Sequence, residues 1–389
     1  MAAGWPTKVT YANGDVYSAS DVNDTNGTLN YIDPTSATDG QVLTRDNASA
    51  GKVKWSTISV AESLGFTAGK NKIINGDFGV NQRAFSSTTT DATFGFDRFR
   101  CDSNGGATFS AQVFTPGAAP VAGYESANYL RIVTTGQSGT GVYTVIRTNI
   151  EDVRNFAGQT VTLSFWAKAA TGTPKIASDI RQVFGSGGSP SATVNTYGGS
   201  ATLSTSWARY SLTVAIPSIS GKTIGTTANT SSLQLQLWVS AGSDFNSRTG
   251  SLGIQSNTFE IWGIQMESGS TATAFQTATG TIQGELAACQ RYYQVANYGF
   301  GKALSASDCR VVVLWESMRT APSYTISSLT SIILEIAVAY RSPTGSSQNS
   351  ISGSSVTNGF TEIAFTGASG MTTGNLVALA GSVNLSAEL

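Results

Sequence analysis

Between residues 71 and 279 apolar and polar side chains alternate with a period of two in seven clear runs, and this repeat restricts the fold more than any other feature of the chain. The runs are 108–114, 129–134, 142–148, 160–168, 209–216, 233–239 and 259–266, each bounded by Gly, Ser, Asn or Pro clusters. Successive side chains of a strand point to opposite faces, so each run gives a strand with one face turned inward. No helical repeat lies between the runs, which excludes the helical crossovers of a parallel sheet and leaves antiparallel pairing. The expected architecture is all-β, a jelly-roll-like β-sandwich of two packed sheets over 71–279.

The flanking segments read differently. Residues 1–70 are expected to form a small attachment region, a short helix plus a hairpin. Ser18-Ala-Ser-Asp21 has the form of a capping box with Asp in place of the usual Glu, and it opens a helix to about Ile32. Val22, Thr25, Leu29 and Ile32 make a narrow apolar stripe suited to packing against other copies of itself or against the next domain. Asp33-Pro34 ends the helix, and 40–45 with 52–57 form a hairpin around 46–51. Residues 280–295 read as a connecting helix, with Leu286, Cys289 and Tyr293 on one side of 285–295. The runs 310–316, 332–340, 361–365 and 375–385 indicate a small C-terminal β domain over 296–389, whose core would gain from oligomer packing. The stretch 185–200, rich in Gly and Ser, is the longest flexible insertion, either a recognition loop or a surface excursion.

Composition narrows the chemistry. Charged residues make up 12% of the 389, about half the usual share of roughly 25%, so the surface is built largely from hydroxyls and amides. Lys plus Arg number 23 against 24 Asp plus Glu with no basic run, so nucleic acid is not an expected partner. No membrane insertion is expected, because the longest apolar run, 332–340, is broken by Glu335 and is far below the roughly 20 residues of a spanning helix. The opening Met1-Ala-Ala-Gly-Trp-Pro-Thr-Lys8 lacks the charged-then-apolar pattern of a secretion signal.

There is no histidine, which removes Ser-His and Cys-His nucleophile systems and histidine-ligated zinc. Three cysteines, Cys101, Cys289 and Cys309, form no CxxC pair and read as reduced, buried thiols of a protein assembled in a reducing cytoplasm. Paired carboxylates remain, such as Glu260 with Glu267 or Asp97 with Asp102, but they are near in sequence only. Asp77 and Glu267 would either hold a structural Ca²⁺ or satisfy turn amides. Gly185, Gly187 and Gly188 precede no helical pattern and make no phosphate loop. The expectation is a protein that is not an enzyme, with no cofactor and no metal site.

Three strands carry a pattern suited to sugars. Leu163 and Phe165 alternate with Thr162, Ser164 and Trp166; Leu233, Leu235 and Leu237 with Gln234, Gln236 and Trp238; Phe259 and Ile261 with Glu260 and Trp262. Hydroxyls of a saccharide need polar partners and its C–H face stacks on a flat ring, so Trp166, Trp238 and Trp262 with Gln234 and Gln236 are the candidate sugar-binding residues. The same tryptophans could instead fill gaps beneath loops or lie at a subunit contact.

Several short motifs follow one another in a specific order. They are Asn71-Lys-Ile-Ile-Asn-Gly-Asp-Phe78, Asn81-Gln-Arg83, Phe96-Asp-Arg-Phe99, Leu163-Ser-Phe-Trp-Ala-Lys168, Trp262-Gly-Ile-Gln-Met-Glu-Ser-Gly269, Cys289-Gln-Arg-Tyr-Tyr293, Met318-Arg-Thr-Ala-Pro322 and Ser386-Ala-Glu-Leu389. Over about 70–389 this series resembles the carbohydrate-binding-like jelly rolls and C-terminal modules of bacteriophage tail fibres. The resemblance implies a virion protein, a homotrimer that acts as a tail fibre in attachment to host cell-surface polysaccharide. Residues 1–70, with Trp5, Tyr11 and the short helix, would then anchor it to other virion proteins. The alternative is a capsid-anchored fibre, decoration or tail-tip connector without glycan affinity. The motifs themselves look like scaffold and name no ligand.

Overall fold

The computed structural model describes residues 69–125, 127–297, 299–334, 339–341, 345–347, 359–366 and 372–389, and the segments 41–45 and 53–57. The expected helix over 18–32, with its Val22/Thr25/Leu29/Ile32 stripe, and Trp5 and Tyr11 lie outside the described residues. The chain divides into two compact units, Met1–Thr67 and Ala68–Leu389. In the first, β1 (Gln41–Arg45) pairs antiparallel with β2 (Val53–Thr57), Gln41 opposite Thr57.

The second unit opens with β3 (Ser87–Thr88), β4 (Thr93–Phe94), β5 (Arg100–Ser103), β6 (Thr108–Val113), β7 (Asn128–Thr134), β8 (Tyr143–Glu151) and β9 (Thr160–Ala169). It continues with β10 (Lys175–Val183), β11 (Val194–Thr202), β12 (Ala208–Ala215), β13 (Ser232–Ala241), the single-turn α1 (Asn246–Thr249), β14 (Asn257–Ser268) and α2 (Ile282–Gln290). All seven period-2 runs are strands, with ends within three residues of those expected. They form a jelly-roll sandwich of two six-stranded antiparallel sheets, β11-β10-β13-β8-β5-β4 and β12-β9-β14-β7-β6-β3.

Alternation makes the core. Leu163 and Phe165 of β9, Phe259 and Ile261 of β14, and Leu233, Leu235 and Leu237 of β13 are buried in one cluster between the sheets, each side chain worth about 1.5–3 kcal/mol of transfer free energy. Two expectations need correction. The stretch 185–200 is not wholly loop, because β11 occupies Val194–Thr202 and pairs with β10. Its Val-Asn-Thr-Tyr alternation is short and is followed by two glycines, which obscure a strand signal.

The helix was expected to run to 295. It ends at Gln290, with Thr281 Oγ1 capping it by accepting from Gly284 N at 3.1 Å. Its buried side carries Glu285 and Cys289, while Leu286 is 39% exposed. Tyr293 leaves the helix and enters β15 (Tyr293–Ala296), where its aromatic and β-branched neighbours favour a strand.

After β15 come β16 (Phe300–Ala303), β17 (Cys309–Trp315), β18 (Ser323–Leu334), β19 (Ala339–Arg341), β20 (Gly345–Ser347), β21 (Gly359–Thr366) and β22 (Leu376–Ser386). With β15 they form one eight-stranded antiparallel sheet. Cys309, Val311, Val313 and Trp315 face its own small core with Val383 and Leu385.

Most of the motif series, though not Leu163–Lys168 of β9, converges where this sheet meets the sandwich. Asn75 holds a left-handed backbone (φ 60°), which Asn tolerates, and its side chain donates to Val80 O and Asp97 O at 2.8 and 2.9 Å. Its own N–H donates to Glu285 Oε2 at 2.7 Å. Gly76 cannot carry a side chain, since a Cβ there would lie 2.1 Å from Ile264 O. Gln82 donates to Tyr293 O at 2.9 Å, Arg83 pairs with Glu388 at 3.0 Å, and Arg98 also pairs with Glu388. Arg319 donates through Nε to Ala387 O at 3.1 Å, and Ala387 N donates to Tyr292 O at 2.7 Å. These residues are a hydrogen-bonded clamp between the sandwich and the C-terminal sheet.

Candidate functional site

The outward-facing side of the β11-β10-β13-β8-β5-β4 sheet carries two largely polar rows and, next to them, an apolar one. Strand register sets its side chains in rows. Asn195, Arg181, Gln234 and Asn149 lie side by side across β11, β10, β13 and β8. In the next row stand Tyr197, Asp179, Gln236, Arg147 and, on β5, Arg100. The third holds Ala177, Trp238, Val145 and Asp102. Strands about 4.8 Å apart and a two-residue repeat of about 6.8 Å make this a regular grid, polar in its first two rows and apolar over most of the third.

The first row is cross-linked through its amides. Arg181 donates Nε to Asn195 Oδ1 and Nη1 to Gln234 Oε1, both at 3.0 Å, and Gln234 Nε2 donates to Asn149 Oδ1 at 2.9 Å. Gln236 Nε2 joins the rows by donating to Gln234 Oε1 at 2.5 Å. Each side chain is fixed by a neighbour, and an amide or guanidinium so held still keeps further donors and acceptors. At the edge Tyr197 is 40% exposed, its ring resting against Gly250, where a Cβ would come within 2.3 Å of it.

One end of the grid is closed. Arg248 of α1 reaches over the Trp238 ring, 4.8 Å from its centroid, and donates to Asp179 Oδ2 at 2.5 Å and to Gln236 Oε1 at 2.6 Å. Burial pushes the Asp179 carboxyl above the ordinary range, against the pull of Arg248. Two buried atoms here, Asp179 Oδ1 and Trp238 Nε1, have no hydrogen-bond partner among the described residues. At the other end, beside Glu151, a polar cleft of about 430 Å³ opens between Asp152 and the 224–231 segment.

The five sequence candidates are only partly brought together. Gln234, Gln236 and Trp238 share this face, and all three are buried, at 7%, 3% and 2% exposure, with Trp238 beneath Arg248. Trp166 and Trp262 lie on the other sheet, paired across β9 and β14 with ring centroids 5.4 Å apart. Trp262 is fully buried, packed by Tyr124 at 4.8 Å and Phe275 at 4.9 Å, and donates Nε1 to Asp77 O at 3.1 Å. Gly263, with φ 65°, begins a bulge that lets Trp262 fit under this loop cover. A single platform of three tryptophans therefore does not form. Tyr197, Arg181, Arg147, Asn149 and Asn195 were missed because strand pairing, which gathers them, cannot be read from one sequence.

The carboxylates are occupied by local partners. Glu260 pairs with Arg131 at 2.6 Å and Lys168 at 2.9 Å, and Asp97 accepts from Gln82 N at 2.6 Å. Asp77 accepts from Gly79 N, and Glu267 from Thr273 N and Gln265 Nε2 at 2.8 and 2.7 Å, the turn-amide role. Among the described residues no group of three His, Cys, Asp or Glu could hold a metal ion.

No family model and no curated protein sequence matches the chain. Solved structures similar to it include a family 11 carbohydrate-binding module from Clostridium thermocellum in complex with a β-1,3-1,4-mixed-linked tetrasaccharide, 14% identical, covering 49% of this chain and 99% of that one at a TM-score of 0.28. A putative sugar-binding protein from Bacteroides thetaiotaomicron is 12% identical over 51% of this chain and 100% of its own, at 0.32. The enzymatically active domain of tailspike protein 4 of bacteriophage CBA120 is 14% identical over 51% of this chain, at 0.29. The matched region spans 21% of that tailspike chain. Likeness at this level assigns no residue, so the site rests on the geometry of this chain.

Proposed function

We propose that the chain is a glycan-binding protein and that saccharide lies on the outer sheet face, approached from its exposed Asn195/Tyr197 edge and reaching the half-buried Arg181 and the more deeply set Gln234. The observation that carries this reading is the row of mutually fixed amides and guanidinium, Asn195-Arg181-Gln234-Asn149, beside the exposed Tyr197 ring. Preset amides offer paired donors and acceptors to hydroxyls without a further ordering cost, and a half-exposed ring offers stacking to a pyranose C–H face. Binding itself requires no chemical step.

The order of the motifs supports a place in a bacteriophage fibre, with residues 1–70 as anchor and assembly in the host cytoplasm. Homotrimer formation is supported by the C-terminal sheet, where Phe300 is 69% and Leu314 72% exposed along an apolar groove of about 510 Å³. The test is binding of the purified chain to an array of bacterial surface polysaccharides. Wild type is expected to bind at least one of them, and Tyr197→Ala and Gln234→Ala each to lose about tenfold or more. Absence of binding to every polysaccharide, or unchanged binding by both variants, contradicts the reading. Sedimentation as a stable monomer contradicts the trimer, and absence of the chain from purified particles contradicts the fibre.

A further inference from the structure

The charges on this sheet face are not balanced among themselves. Four guanidiniums, Arg100, Arg147, Arg181 and Arg248, stand with three carboxylates, Asp91, Asp102 and Asp179. Asp102 takes both Arg100 Nε and Arg147 Nε at 2.9 Å, and Asp179 takes Arg248. Asp91 accepts from Ser103 N at 2.8 Å and from the Tyr143 hydroxyl at 3.2 Å. Glu151, one step further along β8, is paired with Arg291 at 3.1 Å.

Arg181 is left with neutral partners, Asn195 and Gln234, and makes no ion pair among the described residues. The terminal nitrogens of Arg147 and Nη2 of Arg181 have no hydrogen-bond partner among those residues. Arg181 and Arg147 flank β13 one register step apart, about 12 Å between backbones on strand spacing. Burial lowers the pKa of both guanidiniums; the Arg248 charge adds to this at Arg181, where Asp179 opposes it, and at Arg147 Asp102 opposes it while the Arg100 and Arg181 charges add to it. The cations disfavour one another, and an anion set among them would turn that repulsion into charge-assisted hydrogen bonds. A structural brace between strands needs no charge, since an amide at 181 could serve it.

We propose that the glycan bound on this face is acidic, a saccharide bearing a carboxylate, and that the carboxylate is held by Arg181 with Arg147 across β13. Gln234 and Asn195 then take hydroxyls of the same or adjoining sugar, while Asn149 is held between Gln234 and Leu389 O, to which its Nδ2 donates at 3.0 Å. This rests on the glycan-binding reading above and specifies its substrate class. It assigns selectivity to Arg181 and breadth of contact to the amides.

The experiment is calorimetry of the full chain with oligogalacturonate, oligoglucuronate and oligomannuronate, each beside its carboxyl-reduced neutral counterpart of equal length. At least one acid is expected to bind about tenfold or more tighter than its reduced counterpart, and to weaken as salt rises from about 0.05 to 0.5 M. Arg181→Gln should bring that ratio to about unity with the melting temperature unchanged, and Arg181→Lys should retain part of it. Equal binding of acid and neutral forms overturns acid selectivity and leaves glycan binding standing. A ratio unaffected by Arg181→Gln removes the assigned residue and overturns the proposal, as does failure of every uronate to bind; only an array that also shows no binding brings down the glycan reading with it.

Discussion

The Arg98 guanidinium lies 3.3 Å from the centroid of the Tyr292 ring while its Nη1 pairs with Glu388. One buried cation thus joins the β-sandwich, the segment after α2 and the end of the chain. Arg83 repeats the arrangement over Tyr293, 3.6 Å from that ring, and pairs with the same Glu388 at 3.0 Å. The fold couples the sandwich to the C-terminal sheet through these side chains and a few backbone hydrogen bonds, each part having its own apolar core.

Arg98→Met should therefore destabilise the chain by about 3 kcal/mol, the lower end of the range for breaking a buried ion pair, because Arg83 still holds Glu388. Denaturant unfolding measures this. A loss below about 0.5 kcal/mol would mean that the clamp does not couple the sheets.

Aromatic residues on the two sheets should separate cleanly. Trp262→Ala empties a fully buried site and should cost about 3–5 kcal/mol, whereas Tyr197→Ala should leave melting nearly unchanged and lower glycan affinity. Paired thermal melts and binding isotherms check both variants. The reverse pattern would return the site to the tryptophans.

Asp97 gives a pH signature. Burial, opposed by the Gln82 N–H and by Arg83, raises its pKa from 3.8 to about 6. The folded state then binds a proton more tightly than the unfolded state, so this group's contribution is full below about 4 and is lost as pH rises to about 6. The difference of about 2 units corresponds to at most about 3 kcal/mol. Asp97→Asn cannot ionise, so its stability relative to wild type should rise across that window and stay level above it. A constant difference from pH 4 to 7 would contradict the assignment.

The thiols should be inert in the folded chain. Cys101, Cys289 and Cys309 are buried and unpaired, and burial raises each, Cys309 to about 11. A thiol reagent at pH 8 should titrate none of them in the native protein and all three of the sequence after denaturation.

The sandwich was legible because its strands are long and turn their apolar residues to one face, so that period two survives in runs such as Leu233-Gln-Leu-Gln-Leu-Trp238, even though both faces of that strand are buried. Strands flanked by glycine, such as β11, were not, nor was the handover from helix to strand at Gln290 to Tyr293. The site was half legible. Gln234 and Gln236 stand out as amides opposite a leucine stripe, but Arg181 and Asn149 join them only through pairing with β10 and β8. Trp166 and Trp262 misled because the sequence shows which face a ring occupies and not the loop that covers it. The motif series marked scaffold, and the structure places most of it in the clamp and Leu163–Lys168 in β9 of the sandwich.

The proposed site places saccharide on the outer face between the Tyr197 edge and Arg181. Its most direct test is a crystal structure of the chain with an oligosaccharide selected by the array. The account predicts sugar atoms within hydrogen-bond distance of Arg181 and Gln234, with a ring against Tyr197. A sugar bound on the Trp166/Trp262 sheet or on the C-terminal sheet, with these rows empty, would contradict it.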